Sequence, residues 1–301
     1  MADAQDHPNR PVRIITDSAP GGAIDVPVRI IAEGLSRIWG QQAIVVNQPG
    51  AGGAISQRAA ATATADGYTF GVTSVSAFVA LPGTADNLPV QVPRDGMPVG
   101  YLGGAPMFIT AAPWLGVKTL PDLIALAKEK PGELSYGVNG IGRLTHLTGE
   151  LLQRRAGIKL LMVPYTGGTP AILNDIMGKR VGMVFEAYSG LGGAMEAGNV
   201  VTLAVAAAEP NLPTVAETLA GFESVGWQAL VAPVGTPDSI VRKVNADLIK
   251  AMHDPEIRKR LADLGRDDRS MSPSETLTFI HQEQAKWSPI VQEIAAKTER
   301  K

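Results

Sequence analysis

The sequence predicts an α/β protein of two lobes joined by two extended crossings. Three observations carry this. Short β-like runs alternate with helix-like stretches from the start of the chain to residue 72 and again from 119 to 206. Extended apolar stretches near residues 99–111 and 227–232 interrupt that alternation. From residue 238 onward the pattern is almost wholly helical. Two crossings followed by a helical return imply a discontinuous first lobe, 1–104 plus 230–301, around a second lobe, 105–229. The crossings then lie near 103–106 and 228–231, and the expected molecule hinges about a central cleft, with a mixed, mainly parallel sheet in each lobe.

The elements follow in order. Val12-Arg13-Ile14-Ile15 reads as a strand running into the loop Ser18-Ala19-Pro20-Gly21-Gly22. Asp25 is expected to cap the next helix, whose face carries Ile31, Leu35 and Ile38 and which ends near Gly40. Ile44-Val45-Val46-Asn47 is a second strand, followed by the loop Pro49 to Gly53, a helix to about Ala63, and the strand Tyr68–Val72. Residues 82–98 read as an irregular excursion. Two extended stretches follow, Val99–Leu102 and Met107–Ala111, separated by Gly103-Gly104.

In the second lobe, Thr119-Leu120-Pro121-Asp122 has the form of a capping box with proline near the helix start. Leu134-Ser135-Tyr136 is a strand, Gly137 to Gly142 a loop, and the next helix carries Leu144, Leu147 and Leu151 before Gly157. Leu160–Val163 leads to Pro164-Tyr165-Thr166-Gly167-Gly168, with Thr169-Pro170 expected to cap a helix that ends at Gly178. Val181–Phe185 and Val200–Ala206 are strands, and Thr214 with Glu217 forms a second capping box. Trp227–Ala232 is the return crossing, and a last helix spans about 273–296.

Composition narrows the function. The chain has 301 residues, 45% of them hydrophobic, with a formal net charge of −2. That is enough apolar material for a substantial core, and the charge supplies no basic field for nucleic acid or an anionic membrane. Cysteine is absent, which removes disulfides, thiolate metal sites and thiol nucleophiles. No apolar run approaches the ~20 residues that span a bilayer. The polar start, Met1-Ala2-Asp3-Ala4-Gln5-Asp6, reads as a mature N-terminus with an initiator Met, its signal peptide gone; a cytosolic protein with a frayed start is the alternative.

Catalytic and metal arrangements are sparse. The four histidines, His7, His146, His253 and His281, have no spacing for a shared metal. Neither a Gly-x-Ser-x-Gly elbow nor a nucleotide-type glycine fingerprint is present, and no loop closes with Gly-Lys-Ser/Thr. Ser74 and Ser76 follow a strand without a base nearby in sequence. No catalytic residue, metal ligand or cofactor is therefore assigned.

Three glycine loops are the strongest local feature: Ala19 to Gly22, Gly137 to Gly142 and Tyr165 to Gly168. Each follows a strand and precedes a helix. Glycine lets backbone N–H groups turn toward an anion, and a helix N-terminus carries partial positive charge, although strand-to-helix turns also use glycine merely to turn. Arg143 is placed either to pair a carboxylate or to stand in solvent at a helix start. Glu186 ends a strand and faces either a cleft or the surface. His146 is a ligand contact or a packed histidine, Tyr165 a wall residue or a hydrogen-bonding one. Tyr188 and Trp227 either stack on a ligand or pack in the core.

An ordered set of motifs then becomes recognisable. It comprises Pro11-Val12-Arg13-Ile14-Ile15 leading to Ala19-Pro20-Gly21-Gly22-Ala23-Ile24-Asp25, Val46-Asn47-Gln48-Pro49-Gly50-Ala51-Gly52-Gly53, Asp66-Gly67-Tyr68-Thr69, Val163-Pro164-Tyr165, Leu212-Pro213-Thr214-Val215-Ala216-Glu217, and Ala232-Pro233-Val234-Gly235-Thr236-Pro237. Over essentially its whole length the chain resembles the Bug family, the substrate-binding components of tripartite tricarboxylate transporters. The resemblance implies a periplasmic binding protein of Venus-flytrap form, monomeric, that holds a small carboxylate and hands it to membrane transporter subunits.

Carried over residue by residue, the first ligand loop is Ser18, Ala19, Pro20, Gly21, Gly22 and Asp25, which in the family bridges one carboxylate through ordered waters. Thr73, Ser74 and Ser76 occupy the hydroxyl-rich stretch of the same lobe. The facing loop is Val138, Asn139, Gly140, Ile141 and Gly142, with His146 on its helix, and the position of Glu186 usually carries an acid. Two departures stand out. Asp17-Ser18 replaces the family's Pro-Phe, and Arg143 replaces a small or hydroxylic residue. They suggest a second carboxylate reaching toward Arg143, or a longer or aromatic acid. A sensor feeding a signalling partner, and a hydrolase using Ser74 or Ser76, are the competing readings.

Overall fold

The computed structural model describes residues 7–50, 53–75, 94–207 and 212–298. The chain forms two units, Met1–Gly104 with Trp227–Lys301, and Ala105–Gly226. Ser76, and most of the stretch 82–98 expected to be irregular, lie outside the described residues, as do Ala51 and Gly52 of the second glycine loop.

The first unit begins with β1 (Val12–Thr16), α1 (Asp25–Trp39), β2 (Ala43–Asn47), α2 (Ala54–Ala61) and β3 (Thr69–Ser74). β1 pairs parallel with both β2 and β3. This is the arrangement that right-handed strand–helix–strand crossovers produce. β9 (Val225–Ala232) adds to β3 in the antiparallel sense, with Ser74 opposite Gln228 and Gly71 opposite Val231. The apolar face of α1, including Val28, Ile31 and Leu35, packs on Ile14, Phe70, Val72 and Leu230. Ile240, Val244 and Leu248 of α8 (Asp238–Met252) and Ile257 and Leu261 of α9 (Pro255–Ala262) complete that core. A last helix, α10 (Pro273–Thr298), contains Pro289.

α1 ends as its sequence requires. Gly40 adopts a left-handed conformation at φ 62° and returns its N–H to Ser36, a termination that costs a residue with a Cβ more than glycine. Its start differs from expectation. Ile24 occupies the capping position without a side-chain bond, and Asp25 is the first helical residue.

The second unit contains α3 (Leu120–Glu129), β5 (Ser135–Val138), α4 (Leu144–Ala156), β6 (Leu161–Pro164), α5 (Gly168–Met177) and β7 (Met183–Ala187). α6 (Tyr188–Glu196), β8 (Val201–Val205) and the short α7 (Val215–Thr218) follow. β5 pairs parallel with β6 and β7, while β4 (Met97–Ala111) pairs antiparallel with β7 and β8. The sheet packs on α5 and α6 through Phe108, Val184, Val205, Ile172, Ile176 and Leu191.

Both capping boxes form, with Thr119 and Asp122 exchanging bonds at the start of α3 and Thr214 and Glu217 doing so at α7. Thr169 does not cap. α5 begins at Gly168 behind Gly167, and the Thr169 hydroxyl is used elsewhere.

The first crossing also corrects the sequence reading. Gly103-Gly104 does not separate two extended stretches; β4 runs unbroken through them from Met97 to Ala111. The reason is a grip from the far end of the first unit. Arg266, buried, donates to the carbonyls of Leu102 at 3.0 Å and Gly103 at 2.5 Å. Asp267 donates its N–H to Gly104 O at 2.9 Å and accepts from Gly104 N at 3.3 Å. Gly103 has φ 94°, and a Cβ there would stand 2.9 Å from the Asp267 carbonyl oxygen. Tyr101 and Arg269 both bond the Asp267 carboxylate, closing the cluster. No helix among the described residues is long and apolar enough to cross a membrane.

Candidate functional site

In each unit the residues of interest gather at the C-terminal ends of the parallel strands, where loops of an α/β sheet are free to meet a ligand. In the first unit, β1 ends at Thr16 and the loop 17–24 leads into α1. Asp25 is buried and organises this loop. Its Oδ2 accepts from Gly21 N at 2.8 Å and Arg29 Nε at 2.9 Å, and its Oδ1 accepts from Asn47 Nδ2 at 2.7 Å. The same Asn47 amide donates to Ser18 O at 2.9 Å and accepts from Arg29 Nη2 at 2.7 Å. Burial alone would raise the Asp25 carboxyl, but the bonds from Arg29, Asn47 and Gly21 outweigh it and hold the group below the usual carboxylate range. Asp25 therefore spends its charge inward.

The remaining first-loop residues form a tight turn. Gly22 donates to Ala19 O at 3.1 Å, and a Cβ on Gly22 would lie 2.5 Å from Ser18 Oγ. Ala19, Pro20 and Gly21 are exposed, Ser18 and Gly22 half-buried. Thr73 and Ser74 end β3 at the same edge. Both are buried, and neither hydroxyl has a hydrogen-bond partner among the described residues.

In the second unit, β5 ends at Val138 and the chain turns through Asn139, Gly140, Ile141, Gly142 and Arg143 into α4. Gly140 at φ 133° and Gly142 at φ 80° supply backbone that other residues rarely adopt. Asn139 Nδ2 donates to Glu186 Oε2 at 2.6 Å and to Thr169 Oγ1 at 3.1 Å. Thr169 also donates to Glu186 Oε2 at 3.2 Å, and Ala187 N donates to Glu186 Oε1 at 2.9 Å. Glu186 is thus not a surface residue. It is buried under three donors. Desolvation pushes its carboxyl above the usual range, opposed by those donors and by the nearby charge of Arg143.

His146, buried on α4, accepts from Gly142 N through Nδ1 at 3.1 Å. That bond assigns the proton to Nε2, which stands 3.9 Å from Glu150 Oε1. His146 so holds the loop from below. Tyr165 bonds Asp175 Oδ2 at 2.6 Å, and burial together with that carboxylate pushes its hydroxyl up to about 12. Tyr188 bonds Glu196 Oε1 at 3.0 Å across two turns of α6. Both rings pack against the α5–α6 core. Trp227 is a core residue whose Nε1 donates to Glu283 at 3.0 Å.

Several participants lie outside the residues singled out from sequence: Asn47, Thr145, Thr169 and Gln228. Thr145 accepts from Asn139 N at 3.1 Å. Gln228 left a signal, because it is the one polar side chain in the apolar run Trp227 to Ala232. Among the described residues no group of His, Asp and Glu is arranged to hold a metal ion.

Each unit thus carries a glycine-bearing loop at a strand end, braced by a buried carboxylate. The model of the tripartite tricarboxylate transporter family receptor, TctC, matches residues 27–296. The chain belongs to this family. The receptor is 33% identical over 301 residues to the protein BugT of Bordetella pertussis, covering 98% of this chain and 92% of that one. Among solved structures it is similar to Rpa4515 of R. palustris with adipate, at 29% identity and a TM-score of 0.89, covering 95% of this chain and 98% of the other. It is also similar to the periplasmic binding protein BugD, at 28% identity and a TM-score of 0.87, covering 95% and 98%. MatC from Rhodopseudomonas palustris with bound malate has 28% identity and a TM-score of 0.83, covering 94% of the receptor and 99% of its own chain.

Proposed function

We propose that the receptor captures a small aliphatic dicarboxylate in the periplasm and presents it, unchanged, to the membrane subunits of a tripartite tricarboxylate transporter. One observation carries this. Asp25 beside the first loop and Glu186 beside the second are both buried and turned toward donors of their own unit. Neither then opposes an anion, and each fixes a loop whose backbone leads into a helix N-terminus. The adipate and malate held by the related structures favour a dicarboxylate of four to six carbons. Ser18 to Gly22, Thr73 and Ser74 supply the polar groups on one unit, and Val138 to Arg143 on the other. Arg143, half-buried at the start of α4, is the residue proposed to pair the distal carboxylate.

The same arrangement gives a nucleophile no help. Among the described residues Ser74 Oγ has no hydrogen-bond partner, and Ser76 lies outside them. The receptor works as a monomer in this proposal. The test is a thermal-shift and calorimetric comparison of C4–C6 dicarboxylates, tricarboxylates and aromatic acids, followed by mass spectrometry of the recovered ligand. A ligand that binds only the folded chain raises the melting temperature by mass action. Recovery of chemically altered acid, or no response to any carboxylate after removal of bound material by unfolding, defeats the proposal.

A further inference from the structure

Two buried polar side chains in the first unit, Ser74 and Gln228, stand on paired residues of neighbouring strands. Ser74 and Gln228 are opposite residues in the antiparallel β3–β9 register, so their side chains leave the same face of the sheet. Both are at most 5% exposed. Among the described residues neither Ser74 Oγ nor Gln228 Oε1 has a hydrogen-bond partner. A buried polar atom left unpaired is unfavourable, so a ligand group that bonds both atoms is favoured there.

Their place in the fold says what that guest is. Val72 and Leu230, two residues away along each strand and on the same face, lie in the core beneath α1. Ser74 and Gln228 cap that face at the end of the sheet where α1 begins. The parallel β1–β3 register sets Ile15 opposite Gly71; continued three residues, it brings Ser74 level with Ser18 of the first ligand loop.

We infer that Ser74 and Gln228 form a subsite for a hydroxyl group on the ligand, so that the receptor prefers a 2-hydroxy dicarboxylate to its deoxy parent. This rests on the dicarboxylate reading above and deepens it. An alcohol donates its proton to Gln228 Oε1 and accepts from Ser74 Oγ–H, satisfying both atoms at once. A carboxylate oxygen has no proton for Gln228 Oε1, and meeting it would require the amide to turn its NH2 toward the ligand. An ammonium group would donate to both, but it would bury a charge between two neutral side chains, since Asp25 is already committed to Gly21, Arg29 and Asn47.

The experiment is titration calorimetry of the full chain with malate, succinate, aspartate and adipate. Malate is expected to bind about tenfold or more tighter than succinate, because a site built to bond a hydroxyl penalises its absence. In Gln228→Leu the two acids converge to within about twofold, malate losing and succinate holding. Ser74→Ala narrows the gap in the same direction and serves if the Gln228 variant does not fold. Equal affinity of the wild-type chain for malate and succinate overturns the subsite while leaving the dicarboxylate reading intact. Aspartate binding tighter than malate overturns the hydroxyl assignment. Failure of all four acids to bind removes the dicarboxylate reading itself, and the subsite with it.

Discussion

Glu186 Oε2 stands 2.6 Å from Asn139 Nδ2, and this bond ties the end of β7 to the loop that follows β5. Thr169 joins the same oxygen, so three segments distant in sequence meet on one carboxylate. A buried carboxylate is electrostatically unfavourable unless its donors compensate it. Glu186 has three such donors.

Glu186→Ala is therefore expected to weaken carboxylate binding about tenfold, or ~1.4 kcal/mol, despite removing a negative charge. Freed from Glu186, Asn139 loses its fixed orientation and the loop its shape. Calorimetry against the best dicarboxylate checks this. Tighter binding in the variant would show that repulsion dominates.

Arg143→Ala should discriminate by charge. Loss of a charge-assisted bond costs about 1.5–3 kcal/mol, so dicarboxylate affinity falls at least about tenfold, while that of a matched monocarboxylate is unchanged. A uniform loss for both acids would place Arg143 in loop support and not in ligand contact.

Asp25 makes a pH prediction. Its folded-state carboxyl lies below its ordinary value, so it adds stability above the usual carboxylate range. That contribution is lost as pH falls through the lowered value. Urea midpoints should decline on acidification below about pH 4. Asp25→Ala should cost about 2–3 kcal/mol near neutrality by orphaning Gly21 N and the Asn47 amide, and should flatten the acid decline. An acid profile identical to that of the parent chain would refute the assignment.

Gly103→Ala tests the grip on the first crossing. A Cβ there combines a left-handed φ of 94° with a contact 2.9 Å from Asp267 O. The expected loss is about 1–3 kcal/mol in denaturant unfolding. Arg266→Met should also destabilise, since it leaves the Leu102 and Gly103 carbonyls buried without donors. Unchanged unfolding in both variants would mean that the crossing is held by strand pairing alone.

Features encoded locally were legible in the sequence. The Thr119–Asp122 and Thr214–Glu217 boxes and the terminating Gly40 and Gly157 each depend on neighbours within a few residues. α6 was not legible. Gly190, Gly192 and Gly193 depress its helix propensity, and the helix persists because Leu191 is buried in the second core while Gly192 lies against the Tyr188 ring. The strand-to-helix loops around Gly21 and Gly140 were legible as loops from their glycines. Sequence misread what Asp25, Thr169 and Glu186 bond, because their partners come from other strands and helices. The facing of Ser74 and Gln228 is a matter of register between strands 154 positions apart, which no local pattern reports.

The divided course of the first unit also sets an order of events. A chain emerging N-terminus first has all of Ala105–Gly226 before it has β9, α8, α9 or Arg266. The inserted unit can close its core while the segment before it waits, with Val72 lacking Leu230 and Gly103 lacking Arg266. Completion of the receptor is thus a late, C-terminal event, and truncation of the last helices strands a finished second unit on an unfinished first.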